Sequence, residues 1–191
     1  VLMPSLVGWS ILRFSRNYLE GDSGTSRFTL WFSLTLTSVT VLVLASHLAV
    51  LAIAWLATSL SLHRLLVFYP ERAKALLAAH KKFLVSRLAD ILLVMGFILV
   101  ARALGTADIA AINEQLHAGA ANGTLGLEIA AVLIVLAAAL KSAQLPFHGW
   151  LIQVMEAPTP VSALLHAGVV NMGGYLLIRF SPLLEATQFA V

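Results

Sequence analysis

The sequence predicts an all-α, polytopic transmembrane helix bundle. Three observations carry that expectation. The 191 residues are 60% hydrophobic and 11% charged, whereas soluble globular domains average roughly 45–50% apolar and 25% charged residues. Mean hydropathy is +0.92. Apolar runs of about 18–23 residues recur along the chain, close to the roughly 20 that a helix needs to cross the hydrocarbon core. No strand-like alternation competes with them, and no short-period repeat is visible.

Composition also excludes function classes. The net charge of +3 is small, and the basic residues sit in loops and helix ends. Such a balance reports membrane orientation, not nucleic-acid binding. With no cysteine, disulfides and thiolate metal sites are excluded. The chain opens at Val1 inside an apolar run without a signal-peptide layout. It is expected to be a piece of a longer protein, cut at both ends. Its apolar surface then needs the remaining helices or neighbouring subunits.

Taken in order, residues 1–12 read as the end of a transmembrane helix. Residues 13–27, with Glu20, Gly21, Asp22 and Gly24, read as a polar loop. The bundle proper covers 28–180, with spans at about 28–45, 48–69, 83–104, 127–145 and 158–180. Ser46-His47 is a tight link between the first two. Pro70 closes the second, because proline cannot continue the helical ladder. Glu71 to Lys82 is charged and mostly basic. Gly105 to Gly126 is polar, and its pattern allows a short surface helix. Residues 181–191 form a truncated tail.

Charge placement tests the span count. If every span crosses, the loops 13–27 and 70–82 share one side. They hold Arg13, Arg16, Arg27, Arg72, Lys74, Lys81 and Lys82. The link at Ser46-His47 and the loop 105–126 share the other side and contain no Lys or Arg. The positive-inside rule makes the basic side cytoplasmic. Gly168, Gly173, Gly174, Ala163 and Ala167 in the last span read as packing positions, since small residues let helices approach closely in lipid.

The chemistry concentrates between Ile129 and Arg179. An apolar run from Ile129 to Leu140 ends in Lys141, and Ser142, Ala143, Gln144, Leu145 and Pro146 follow. Ionisable groups at membrane depth are costly and persist where they face a cavity or a partner. Pro146 cannot donate to the carbonyl of Ser142. A free carbonyl and the Gln144 amide then form a helix break beside Lys141, tolerated at membrane depth only where protein or trapped water satisfies it. Lys141 is therefore a candidate proton relay. The ordinary alternative is a lysine that snorkels to the interface. Desolvation and a neighbouring carboxylate act on a lysine in opposite senses, and a relay needs that opposition to cycle its proton.

His166, about two turns into the last span, is a second candidate relay group with a titration suited to neutral pH. Its alternative is a neutral histidine bridging two helices. Arg87 and Asp90, three residues apart on one helix face, are a candidate ion pair. His148 and Glu156 fall in an interfacial turn. The six histidines lack HxH or HExxH spacing, so no metal site is expected. No cofactor motif and no self-contained active site appear.

The stretches KSAQLPFHGWL and MEAPTPVSALLHAGVVNMGGYLLIR closely resemble the signature of the proton-conducting, antiporter-like membrane subunits. That family includes subunit L of NADH-quinone oxidoreductase (respiratory complex I) and the large subunits of Mrp-type Na⁺/H⁺ antiporters. LVLASHLAVLAIAW, KKFLVSRLAD and SRF extend the resemblance over nearly the whole chain. It implies one five-helix antiporter-like unit with a broken helix, plus part of a preceding helix. It also implies a central lysine at Lys141, a histidine at His166 and an aspartate at Asp90. The transported ion would be a proton or Na⁺, in the bacterial inner membrane. Partners would be lipids and the other subunits of a complex, with no nucleic acid.

One departure stands out. The family shows a glutamate after the tryptophan of the second span, as partner of the lysine. Here Trp55 is followed by Leu56. Either another carboxylate such as Asp90 substitutes, or coupling works differently. TSLSLHRLLVFYPERA and KKF resemble the divergent DabB-type branch of inorganic-carbon transporters. That resemblance implies a soluble, zinc-containing DabA-like partner. The alternatives are a complex I or Mrp subunit, and a non-conducting membrane scaffold.

Overall fold

A computed structural model describes residues 2–22, 24–69, 73–119, 124–145, 148–153 and 158–187. These residues form helices and turns, without a strand among them. The expected all-α bundle is therefore the observed architecture.

α1 spans Leu2–Tyr18 and so runs past the expected boundary at residue 12. Arg13 and Arg16 are exposed on its outer side, so their charge does not interrupt the helix. The chain turns at Gly21, whose φ of +86° suits a residue without Cβ. α2 then starts at Thr25 and runs to Leu44. The connection is a short clasp instead of the loop read over 13–27. In it, Asp22 Oδ1 accepts the Gly24 N–H at 2.8 Å, and Thr25 Oγ1 donates to the Asp22 carbonyl at 2.7 Å.

α3, Leu48–Leu66, returns antiparallel to α2. His47 caps it, its Nδ1 accepting the Ala49 N–H at 3.1 Å, which satisfies one of the orphan donors of a helix start. The expected surface helix forms as α5, Ile109–His117. Asp108 caps it through the N–H groups of Ala110 and Ala111 at 3.0 and 3.1 Å. The two capping loops are stitched together. Leu48 N–H donates to the Ala107 carbonyl at 2.9 Å, and Ile109 N–H to the Ser46 carbonyl at 2.8 Å. At the opposite end, Tyr69 Oη donates to Asp22 Oδ2 at 2.9 Å. The Asp22–Tyr69 contact and the link between the two capping loops thus lie at opposite ends of α2 and α3.

α4, Ala73–Leu104, has 32 residues. It begins well before Phe83, where the span was expected to start. Ala, Leu and Lys are good helix formers, and the His80 and Lys81 side chains are exposed while Ala78, Ala79 and Lys82 turn inward. Charge density in this stretch belongs to a helix, not a loop. α6, Leu125–Lys141, lies along α4. A Cβ on Gly96 would reach Ile134 Cγ1 at 2.9 Å and the Ala130 carbonyl at 3.3 Å, so a glycine is needed where these helices touch.

The short α7, Gly149–Gln153, packs on α4. The last expected span is segmented into α8 (Thr159–Leu164), a π-helical turn (Leu165–Val169) and α9 (Met172–Arg179), and then α10 (Ser181–Glu185). Of the expected packing residues, Gly173 is the tight one. A Cβ there would collide with Ser142 Oγ and the Ala138 carbonyl of α6. Gly168 and Gly174 would accept a Cβ freely, and Ala163 is exposed.

By length and composition, Thr25–Leu44, Leu48–Leu66 and Leu76–Leu104 can each cross a membrane. Their buried faces supply Phe28, Phe32, Trp55, Leu62 and Phe97 to the core. Their outer faces carry exposed Leu30, Ile53, Leu84 and Ile91, apolar surface that suits lipid or further helices.

Candidate functional site

The site forms where α6 stops. Ser142 N–H makes the last regular bond, to the Ala138 carbonyl at 2.9 Å. Ala143 takes the left-handed conformation, with φ 52°, as residues just past a helix end commonly do. Gln144 N–H reaches back to the Ala139 carbonyl at 3.0 Å. The helix is therefore broken at once after Lys141, and Ser142 and Gln144 form the break. Pro146 lies outside the described residues. Ser142 Oγ is buried without a hydrogen-bond partner among them.

Lys141 is the last residue of α6. Its side chain is 2% exposed, so the ammonium is enclosed by protein and does not reach solvent. Three features surround it. Asp90 of α4 places Oδ1 3.3 Å from Nζ. The Trp55 ring of α3 lies with its centroid 4.7 Å from Nζ, inside the roughly 6 Å reach of a cation–π contact. The C-terminal end of α6 itself presents the negative pole of the helix, which favours a cation.

Asp90 is held in turn by Arg87, whose Nη2 lies 2.6 Å from Oδ2. The angle of that approach is not one of a hydrogen bond, so the two groups interact as charges. One carboxylate thus stands between two cations. Outside bulk water such attractions are strong, and each isolated charge would be costly. The expected pair Arg87–Asp90 and the lysine are brought into one cluster by α4 and α6.

Leu56, where the family resemblance expects glutamate, is 39% exposed on the outer side of α3. Asp90 stands beside Lys141 instead. His166 is not brought to this cluster. Its side chain is exposed on the π-helical turn, and no hydrogen bond or ion pair joins it to Lys141 among the described residues. π-Helical turns within helices are frequent at functional sites. His148 is half-buried and Glu156 lies outside the described residues.

Sequence reasoning missed two members of this neighbourhood. Trp55 entered the sequence reading only as the residue before Leu56, and nothing in the pattern marks it as a cation's neighbour. Lys82 was counted with the loop charges at 70–82, and the structure corrects this. It sits within α4 at 2% exposure, with Nζ 3.3 Å from the Ser59 carbonyl of α3. A signal existed, since Lys82, Ser86 and Asp90 are spaced by four and so share one helix face.

The model of the NADH:quinone oxidoreductase/Mrp antiporter transmembrane family matches residues 45–191. The chain is 48% identical over 180 residues to the probable inorganic carbon transporter subunit DabB of Hydrogenovibrio crunogenus, covering 94% of this chain and 35% of that protein. It is 37% identical over 174 residues to NADH-quinone oxidoreductase subunit L of Escherichia coli, covering 91% of this chain and 28% of the relative. Among solved structures, a chain of the Mrp complex from a Dietzia species matches with TM-score 0.72 and 35% identity, over 79% of this chain and 16% of that one. The chain spans about a third of the length of the curated relatives it matches. Family model, relatives and fold agree: this chain belongs to the NADH:quinone oxidoreductase/Mrp antiporter membrane family.

Proposed function

We propose that this chain is the proton-conducting unit of an energy-coupled membrane complex, with Lys141 as its central relay. The observation that carries the reading is the enclosed Lys141–Asp90 contact at a helix break. A charge moved across 100 mV is worth about 2.3 kcal/mol. An ammonium whose counter-charges are a single shared carboxylate and a ring is poised for a change of that size to matter. Asp90 holds the charged state of the lysine, Arg87 competes for the carboxylate, and Ser142 and Gln144 offer polar atoms at the break. His166, open on its π-helical turn, would take the proton onward into the part of the protein that faces it.

Within the family, we favour the inorganic-carbon branch. Identity is 48% to the DabB subunit and 37% to subunit L. The glutamate that the resemblance pairs with the lysine is replaced by Leu56. On this reading, proton flux through the full-length protein drives carbon uptake with a zinc-containing, DabA-like partner. The end bearing Arg13, Arg16 and Arg27 faces the cytoplasm of a bacterial inner membrane.

The test replaces Lys141 by Met in the full-length, assembled complex. Carbon-dependent growth and proton uptake by vesicles are expected to fall at least tenfold. Unchanged flux in correctly assembled Lys141→Met protein would mean a scaffold. Affinity purification separates the branches, since a zinc protein or a set of quinone-reductase or Mrp subunits would accompany the chain.

A further inference from the structure

Among the described residues, Lys82 is the most buried charged side chain that the relay described above does not use. It lies two turns from Asp90 on the same face of α4, with the buried Ser86 between them. α3 presents a matching stripe, Trp55, Ser59 and His63, again spaced by four. Trp55 faces Lys141, and the Ser59 carbonyl accepts from Lys82. Ser59 Oγ and His63 Nδ1 are buried without hydrogen-bond partners among the described residues. Two polar stripes thus face each other between α3 and α4. They run from Lys141 toward the end of the bundle that carries Asp22 and Tyr69.

The far end of the stripe opens. His63 packs on Phe83 with centroids 4.7 Å apart and on His80 at 5.9 Å. It lines an open, largely apolar groove of about 610 Å³, where Ser61 and Arg64 stand among Trp31, Leu34, Leu60 and Phe83. A buried ammonium bonded to one neutral carbonyl is an expensive structural device. A structural role would be served as well by a methionine in this position. The charges around Lys82 are Arg87 and Asp90 on its own helix and Lys141 from α6, with His63 and Arg64 on α3 and the exposed His80 and Lys81 two and one residues before it. Asp90 then has one negative charge for two lysines, so both are not well compensated at once.

We propose that Lys82 is a second proton-carrying lysine, which alternates with Lys141 and connects it to the groove at His63. The inference rests on the relay reading of Lys141. In the step, the Lys82 ammonium gives one proton, by way of the Ser86 and Ser59 hydroxyls, to the neutral amine of Lys141. Lys82 becomes the neutral amine, and solvent in the groove returns a proton to it through His63. Charge in the cluster is conserved during the transfer, and it rises by one only on reloading.

The test uses the full-length protein in its complex, reconstituted in vesicles, with Lys82→Met, Lys82→Arg and Lys141→Met measured side by side. Lys82→Met is expected to lose at least tenfold in proton flux with assembly intact. Lys82→Arg restores the charge but not the flux, because a guanidinium does not release its proton. Rescue by Lys82→Arg, or full flux in Lys82→Met while Lys141→Met is dead, would overturn the role of Lys82 and leave that of Lys141 standing. Full flux in all three would remove the relay reading itself. Lys82→Cys, in full-length protein with any cysteine outside this chain replaced by serine, provides a second measurement that survives a poorly folding Met variant. A small aminoethylating reagent added from the His63 end is expected to label it and to restore flux. A cysteine that stays unreactive there, while one at exposed Lys81 reacts, would show that no path reaches Lys82.

Discussion

Asp90 of α4 and Lys141 of α6 meet at 3.3 Å across the helix pair, one at mid-helix and the other at a helix end. Neither partner reaches solvent to any useful extent, at 8% and 2% side-chain exposure. Removing one partner of a buried pair leaves an uncompensated charge and costs about 3–5 kcal/mol. Asp90→Asn should therefore lower thermal stability of the full-length protein in detergent and abolish flux. The double variant Asp90→Asn/Lys141→Met should recover much of the stability and none of the flux. A double variant as unstable as the sum of the singles would show that the two groups do not interact.

Gly173 and Gly174 offer a matched pair of controls. A Cβ on Gly173 has no room against Ser142 and Ala138, whereas a Cβ on Gly174 meets nothing within 4 Å. Overpacking typically costs about 1–3 kcal/mol. Gly173→Ala should part α9 from α6, loosen the break after Lys141 and reduce flux. Gly174→Ala should leave both unchanged. Melting curves and flux on the two single variants check the difference.

Arg179 ties α9 to the end of α2. Its Nη1 donates to the Val43 carbonyl at 2.8 Å and its Nη2 donates to the Ala45 carbonyl, while Tyr175 Oη donates to Val43 at 3.0 Å. These are the carbonyls that a helix C-terminus leaves unpaired. Losing a charged donor there costs about 1–3 kcal/mol. Arg179→Met should lower stability by that amount, and Tyr175→Phe by less. Equal stability of Arg179→Met and the parent would refute the capping role.

Asp22 gives a pH signature outside the membrane spans. The Gly24 N–H, the Tyr69 hydroxyl and nearby Arg27 hold its carboxyl below the usual carboxylate value of 3.8. A carboxylate depressed in the folded state adds stability that is present above its unfolded pKa. That contribution disappears as pH falls through the lower, folded value. Asp22→Asn and Tyr69→Phe should each lower stability at neutral pH and converge with the parent in strong acid. A gap between variant and parent that persists at low pH would contradict this origin.

Much of the fold was legible because its signals are one-dimensional. Run length located α2, α3 and the body of α4, and the polar stretch Gly105–Gly126 allowed for a short helix, which forms as α5. Boundaries failed where charge was mistaken for chain reversal. Arg13 and Arg16 ride on the outer face of α1, and His80 and Lys81 on that of α4. The π-helical turn at Leu165–Val169 has no composition of its own, so the last span read as one helix. At the site, Lys141, Asp90 and Arg87 were visible as charges inside apolar runs. The Arg87–Asp90 pair followed from spacing, but the meeting of Asp90 with Lys141 stood only as one of two alternatives, since it depends on how α4 and α6 are rotated. Lys82 was hidden by its neighbour Lys81. Adjacent residues on a helix point about 100° apart, so one of two neighbouring lysines can enter the core while the other stays wet.

The glycine contact between α4 and α6 acts as a gear setting. From Gly96 back to Asp90 is six residues, and from Ile134 on to Lys141 is seven, about 9 and 10.5 Å along antiparallel axes. The touching point and the charged point are therefore keyed to the same shaft. One alanine inserted between Ile134 and Lys141 would swing the lysine by about 100°, away from Asp90. The loop beyond it can drift in length, but the two turns before it cannot.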